Sequence, residues 1–284
     1  MNRPCNIRIR CDAAGALSAE DFGGYETRNL STLKLLALAA ANTQFAAPFS
    51  ARICTDDFLR ETQPTDEPVL SYCKTAEQTG VIAIPDHVFW AWPQVGIGDY
   101  EQLVSQMQLA GQKPPIDNRL FWIGNATTHP TRVDFLRLSQ REPRICAVGM
   151  NWLPGSNHPQ TGQLAAKDNR YVSLPDHCQF RYLIDLQGRG YSGRLKLLLF
   201  SGRPLFVQSR RWNEYFSDDL KPFEHFIPVR EDLADLQTQL DWADSHSTEV
   251  AAIAARGLAY AQSHLRRAHA VLYLQQVLLN LSRH

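Results

Sequence analysis

The chain has 284 residues, 44% hydrophobic and 20% charged, which suits one large domain or two mid-sized ones and excludes global disorder. Lys plus Arg and Asp plus Glu each number 29, so the formal net charge is zero and the balance lacks the basic excess of a general nucleic-acid binder. No stretch approaches the ~18 apolar residues of a membrane span, the start "MNRPCNIRIR" has no apolar signal core, and the six cysteines fall at no CxxC spacing, so they read as reduced thiols in a cytoplasmic protein.

In chain order, "LSTLKLLALAAAN" (30–42) predicts a helix, with Leu30, Leu33, Leu36 and Ala40 on one stripe and Ser31 as its cap. "SARICT" (50–55) predicts a strand that ends at Asp56 and Asp57; "EPVLSYC" (67–73) and "GVIAIP" (80–85) predict two more. A helix over 100–112 is followed by the Pro-rich linker "KPPIDN" (113–118). The second half alternates again: strand 120–124, helix 131–140, strand 144–149, a loop over 153–168, strand 180–186, helix 193–202 and strand 204–208. Three helical patterns, over 230–244, 248–265 and 268–281, close the chain. Such alternation predicts an α/β fold with mainly parallel sheets, in two nucleotide-binding-like lobes with a cleft between them and ligand beyond the strands' carboxyl ends.

The most informative stretch is "FRYLIDLQGRGYSGRLKLLLFSGRPLF" (180–206). Gly188, Gly190 and Gly193 sit in a strand-to-helix turn, where amide N–H groups attract anions and glycine permits close approach. Ser192 takes the N-cap position, and Arg194 and Lys196 lie in the first helical turn, opposed to the helix dipole unless an anion such as a diphosphate is bound there. The spacing also fits G-x-G-x-x-G, which keeps a dinucleotide-binding oxidoreductase as an alternative; the acidic residue expected at the end of the next strand is replaced by Arg210 and Arg211. Read without further context, the stretch is either a phosphate loop or a basic turn.

Longer motifs decide between them. "DHCQFRYLIDLQG", "SGRLKLLLFSG", "LKPFEHFIPV", "IAARGLAYAQSHL", "PVLSYCKT" and "IPDHVFWAWP" resemble glycosyltransferase family 90 over about residues 45–280. The resemblance implies a GT-B-like fold of two Rossmann-like lobes: residues 1–115, joined by the C-terminal helix 266–284, on the acceptor side, and residues 116–265 on the donor side. It implies inverting transfer of glucose, galactose or xylose from a UDP-sugar to a hydroxyl of a surface glycan such as a lipopolysaccharide core or capsule precursor, without a metal or other cofactor. By the same resemblance Asp57 in "ICTDDF" is the general base, while Asp56 replaces a different family residue. Gly188, Gly190, Tyr191, Ser192, Gly193 and Arg194 hold the donor diphosphate, with Gly124 and Arg132 of "WIGNATTHPTRVD" as looser matches.

Asp86, Trp90, Trp92, Asp176 and His177 are candidate sugar or acceptor contacts, each with a packing role as the alternative. The expected partners are a UDP-sugar and a glycan acceptor that is free or lipid-linked, with no nucleic acid. Membrane contact is at most peripheral, at the inner face of the cytoplasmic membrane, through Arg266 and Arg267. A protein or small-molecule acceptor, and a non-catalytic nucleotide-sugar-binding protein, are the other readings.

Overall fold

The computed structural model describes residues 5–60, 66–150 and 171–283; the predicted loop over 153–168 lies outside them. The first sheet holds β1 (Ile7–Cys11), β2 (Leu17–Asp21), β3 (Phe49–Cys54), β4 (Val69–Ser71) and β5 (Val81–Ala83) in the order β2-β1-β3-β4-β5. Its core is the parallel run β3-β4-β5, and the register sets Cys54 beside Ser71 and Ser71 beside Ala83. The loops after these strands therefore leave from one edge. Ile7, Ile9 and Cys11 alternate inward on β1 and are buried, which is the signature of a half-buried strand. The resulting antiparallel β1-β2 hairpin is an addition that the helix-and-strand reading of the sequence lacks.

The second sheet is parallel throughout, in the order β10-β9-β8-β6-β7: β6 (Asp117–Asn125), β7 (Ile145–Met150), β8 (Phe180–Asp185), β9 (Leu205–Gln208) and β10 (Ile227–Val229). The order runs outward both ways from the middle, as in doubly wound folds. β10 falls inside the motif "LKPFEHFIPV", where Ile227 and Val229 point into the core.

The helices are α1 (Glu26–Ala40), α2 (Tyr100–Gly111), α3 (Pro130–Ser139), α4 (Leu195–Leu199), α5 (Leu236–Ser245), α6 (Ser247–His264) and α7 (Arg267–Leu281). α1 begins a turn before the expected residue 30, so Ser31 is a buried residue inside it and not its cap. α5 begins at Leu236, later than the expected 230, because Asp232 and Asp235 accept backbone N–H bonds in a preceding turn. α7 packs on α1, and Tyr273 Oη donates to the Ala83 carbonyl at the end of β5, so the last helix belongs with the first sheet.

One apolar core runs through both halves, joining Ile53, Val88, Phe89 and Tyr100 to Leu183, Leu195, Phe200 and Trp212. A second core lies on the far face of the second sheet, around Trp122, Phe135, Tyr182 and Phe206. The lobes are thus packed on each other, with the C-terminal strand edges of both sheets meeting at the seam.

Candidate active site

Asp57 follows β3 at the C-terminal edge of the first sheet. Its Oδ1 accepts from Arg28 Nη2 at 2.9 Å, and Arg28 Nη1 donates to the Thr55 carbonyl at 3.2 Å. Arg28 stands on the first turn of α1 under the ring of Tyr25, 4.3 Å away. Asp57 keeps 37% of its side chain exposed, whereas Arg28 keeps 14%. The carboxylate is therefore oriented on one side and open on the other. Asp56, its neighbour, lies beside the Tyr25 hydroxyl instead.

The glycine-rich turn of the second sheet reaches this same place. A Cβ on Gly190 would lie 1.9 Å from the Asp57 carbonyl oxygen and 3.2 Å from Phe58 Cβ. Only glycine fits where two backbones touch so closely. Gly193 abuts Trp92 and Val88, and Tyr191 packs edge-on to Tyr72 at 6.0 Å. The base candidate and the anion-loop candidate, 131 positions apart in sequence by 188 − 57, are thus neighbours.

Below the turn, Asp185 closes β8 and is fully buried. Ser192 Oγ donates to Asp185 Oδ1 at 2.6 Å, and Arg210, just past β9, pairs with Asp185 Oδ2. A hydroxyl that gives its only proton to a carboxylate has none left for a phosphate. Ser192 therefore anchors the turn and neither caps the helix nor donates to an anion. The N-cap position falls to Arg194, and α4 is only five residues long.

Arg132 lies in α3 and is buried. Its Nε, Nη1 and Nη2 donate to the carbonyls of Gln187, Asn125 and Leu186 at 2.7, 3.1 and 3.0 Å. It clamps the end of β6 to the loop after β8, so its main geometric work is holding the loop. Burial, and then the charges of Arg194 and Arg210, push its pKa down to about 9. Arg194 donates through Nη1 to the Ile123 carbonyl, and its buried Nη2 has no partner among the described residues. Burial lowers its pKa too, with Asp185 opposing. Trp122, against which a Cβ on Gly124 would press at 2.7 Å, carries Arg132 and Arg194 over its ring at 5.5 and 6.0 Å. The positive charge expected of this edge is present, and it comes from side chains that the glycine motif alone does not name.

The remaining candidates divide. Asp86 is buried, receives Lys196 Nζ at 2.8 Å and caps the Val88 N–H at 3.1 Å, so it is an internal ion-pair partner and not a sugar contact. Lys196 also meets Glu214 at 3.3 Å, and these two carboxylates, not a bound anion, account for a lysine in the first turn of α4. Trp90 stacks with Arg267 at 4.8 Å and lies 5.3 Å from Lys34, a packing role. Trp92 stays at the site against Gly193. Asp176 is exposed and accepts from the Ser173 hydroxyl. His177 is buried, its Nδ1 bonded to the Ser173 carbonyl at 2.7 Å; burial and the nearby Arg194 push it down to about 3, which leaves Nε2 as a bare acceptor. Arg266 and Arg267 bond Glu101 and Asp99 at 2.9 and 2.6 Å and are not a free basic face. Arg28, Asp185 and Arg210 are the site residues that the sequence reading passed over. A surface groove of about 340 Å³, lined by Leu17, Leu33 and Phe45, lies elsewhere, between β2 and α1.

The fold and the site define an α/β protein of GT-B type: two Rossmann-like lobes whose strand ends meet, one bearing a carboxylate and the other an arginine-rich, glycine-lined turn. Residues 51–283 match the family described as "Glycosyl transferase family 90", and the chain belongs to that family. Among curated relatives it is similar to protein O-glucosyltransferase 1 of Rattus norvegicus, 29% identical over 227 residues that cover 76% of this chain and 57% of that protein. It is also similar to O-glucosyltransferase rumi of Drosophila melanogaster, 27% identical over 222 residues, with 74% and 53% covered. The chain thus spans a little over half the length of these relatives. Among solved structures, the Anabaena protein HepE in complex with UDP-glucose aligns with a TM-score of 0.46 at 14% identity, covering 75% of this chain and 72% of that one.

Proposed function

We propose that the chain is a UDP-sugar-dependent glycosyltransferase that inverts the anomeric centre. The observation that carries this reading is the contact of Gly190 with Asp57, which sets an anion-binding turn beside an open carboxylate. Asp57 takes the proton of the acceptor hydroxyl. The freed oxygen forms a bond to the anomeric carbon, the bond from that carbon to the diphosphate oxygen breaks, and its electron pair leaves with UDP. The guanidinium groups of Arg132 and Arg194 and the loop amides offset the charge that develops on the leaving group. In this reading Arg132 and Arg194 supply the positive charge at the diphosphate, and no metal is invoked.

In this reading residues 1–115 with 266–284 form the acceptor lobe and 116–265 the donor lobe. Glucose, galactose and xylose are the candidate sugars, and the proposed acceptor is a hydroxyl of a surface glycan or its lipid-linked precursor at the cytoplasmic face. The described cysteines form no disulfide with one another, which suits a reducing compartment. A protein hydroxyl is the second reading, favoured by relatives named as protein O-glucosyltransferases.

UDP release from each UDP-sugar, measured with glycan and peptide acceptors in excess EDTA, tests the reading. Asp57→Asn is expected to lower turnover by about 10²- to 10⁴-fold with UDP affinity unchanged. Loss of UDP binding in that variant, or dependence on added metal, speaks against the roles assigned.

A further inference from the structure

Arg210 has no role in the glycine motif, yet it occupies the edge of the donor side. Its side chain is 8% exposed, its Nη2 pairs with Asp185, and its Nη1 is buried without a partner among the described residues. Arg194, which feels the charge of Asp185, has a buried Nη2 without a partner among the described residues. We propose that Arg210 is a second anion-binding residue of the donor site: Arg210 Nη1 and Arg194 Nη2 together grip the diphosphate of the nucleotide sugar. The inference rests on the UDP-sugar reading above and adds to it a residue in contact with substrate.

Charge balance gives the reason. Asp57 is paired with Arg28, and Asp86 with Lys196. Glu214, near both Lys196 and Arg210, is pushed up to about 8 by burial, which favours its neutral form. What remains buried at this edge is Arg132, Arg194 and Arg210 against the carboxylate of Asp185, with the exposed Glu231 bonded to Gln187. Arg132 spends Nε, Nη1 and Nη2 on carbonyls. The buried charge is net positive, and among the described residues a guanidinium N–H lacks a partner on Arg194 and on Arg210. Buried charge without a counter-charge and buried donors without acceptors are both costly, so such a site is completed by a dianion with several acceptor oxygens. A diphosphate diester is one. The same position bears on the dinucleotide alternative: where that fold places a carboxylate for a ribose hydroxyl, this chain has an arginine already committed to Asp185.

The test is calorimetric titration of UDP into the full chain. Arg210→Met is expected to weaken UDP about 10- to 100-fold and uridine by less than about twofold, with Arg210→Lys in between. Arg211→Met removes the same charge one residue on, from an exposed position, and is expected to leave UDP within about twofold. Because Arg210→Met also strands Asp185, the double variant Arg210→Met/Asp185→Asn removes that fault, and a UDP affinity that stays low in it supports the contact. Recovery of affinity in the double variant, or equal weakening by Arg211→Met, overturns the assignment and leaves the UDP-sugar reading standing. Absence of UDP binding by the unaltered chain sinks both.

Discussion

Among the described residues Asp57 is held at one oxygen, by Arg28. Arg28 fixes Oδ1, the Thr55 carbonyl and the Tyr25 ring fix Arg28, and in the proposed mechanism Oδ2 faces the acceptor. Such an arrangement aims a base without covering it. Geometry of this kind matters steeply, since a displacement near 1 Å costs on the order of 10²-fold in rate. Arg28→Met is expected to lower turnover by about 10- to 100-fold, with the Kd for UDP unchanged and Arg28→Lys restoring part of the loss. Steady-state kinetics beside UDP titrations check this. An Arg28→Met variant that turns over normally would show that Asp57 keeps its place without the clamp.

At the scale of elements, the turn over 188–193 works by touching the other lobe. Gly190→Ala puts a methyl group where the Asp57 carbonyl stands, against backbone that cannot swing aside. Overpacking of that kind costs about 1–3 kcal/mol. Melting temperature is expected to fall by several degrees and sugar transfer at least about tenfold, because the loop and the base shift together. Gly80→Ala, at a position with nothing within 4 Å, is the matched control. The alternation of strands and helices was legible because buried parallel strands read as apolar runs, and "FRYLIDL" and "RICAVG" fall on β8 and β7. β10 was not: it is three residues long, too few to show a period, whereas the equally short β4 and β5 lie in longer apolar runs. The glycines and Arg194 stood out in the sequence as a run of adjacent residues in one turn, although Arg194's own partner, the Ile123 carbonyl, is 71 residues away. Arg28, Asp185 and Arg210 escaped because their meaning comes from partners 29, 7 and 25 residues away. Lys196 misled for the same reason, since Asp86 and Glu214 explain it and both are remote in the chain.

The whole molecule is tied across its seam by that lysine. Asp86 comes from the loop after β5, Lys196 from α4 and Glu214 from the segment after β9, so the buried cluster joins the two sheets where their apolar cores merge. Two carboxylates around one ammonium leave an excess negative charge unless one keeps its proton. Burial, reinforced by Asp86 and opposed by Lys196, raises Glu214 from 4.5 to about 8. In the unfolded chain Glu214 releases its proton near 4.5, so between that value and about 8 the folded state binds the extra proton. Stability tied to this group is therefore complete below about pH 4.5 and is lost as pH rises towards about 8. Glu214→Gln keeps the size and the neutral form and removes the titration. In melts at about pH 5 and about pH 8.5, the natural chain is expected to lose several degrees relative to Glu214→Gln at the alkaline end. Curves that stay parallel across that range would mean that Glu214 is ionised in the fold and that the seam carries a net negative charge.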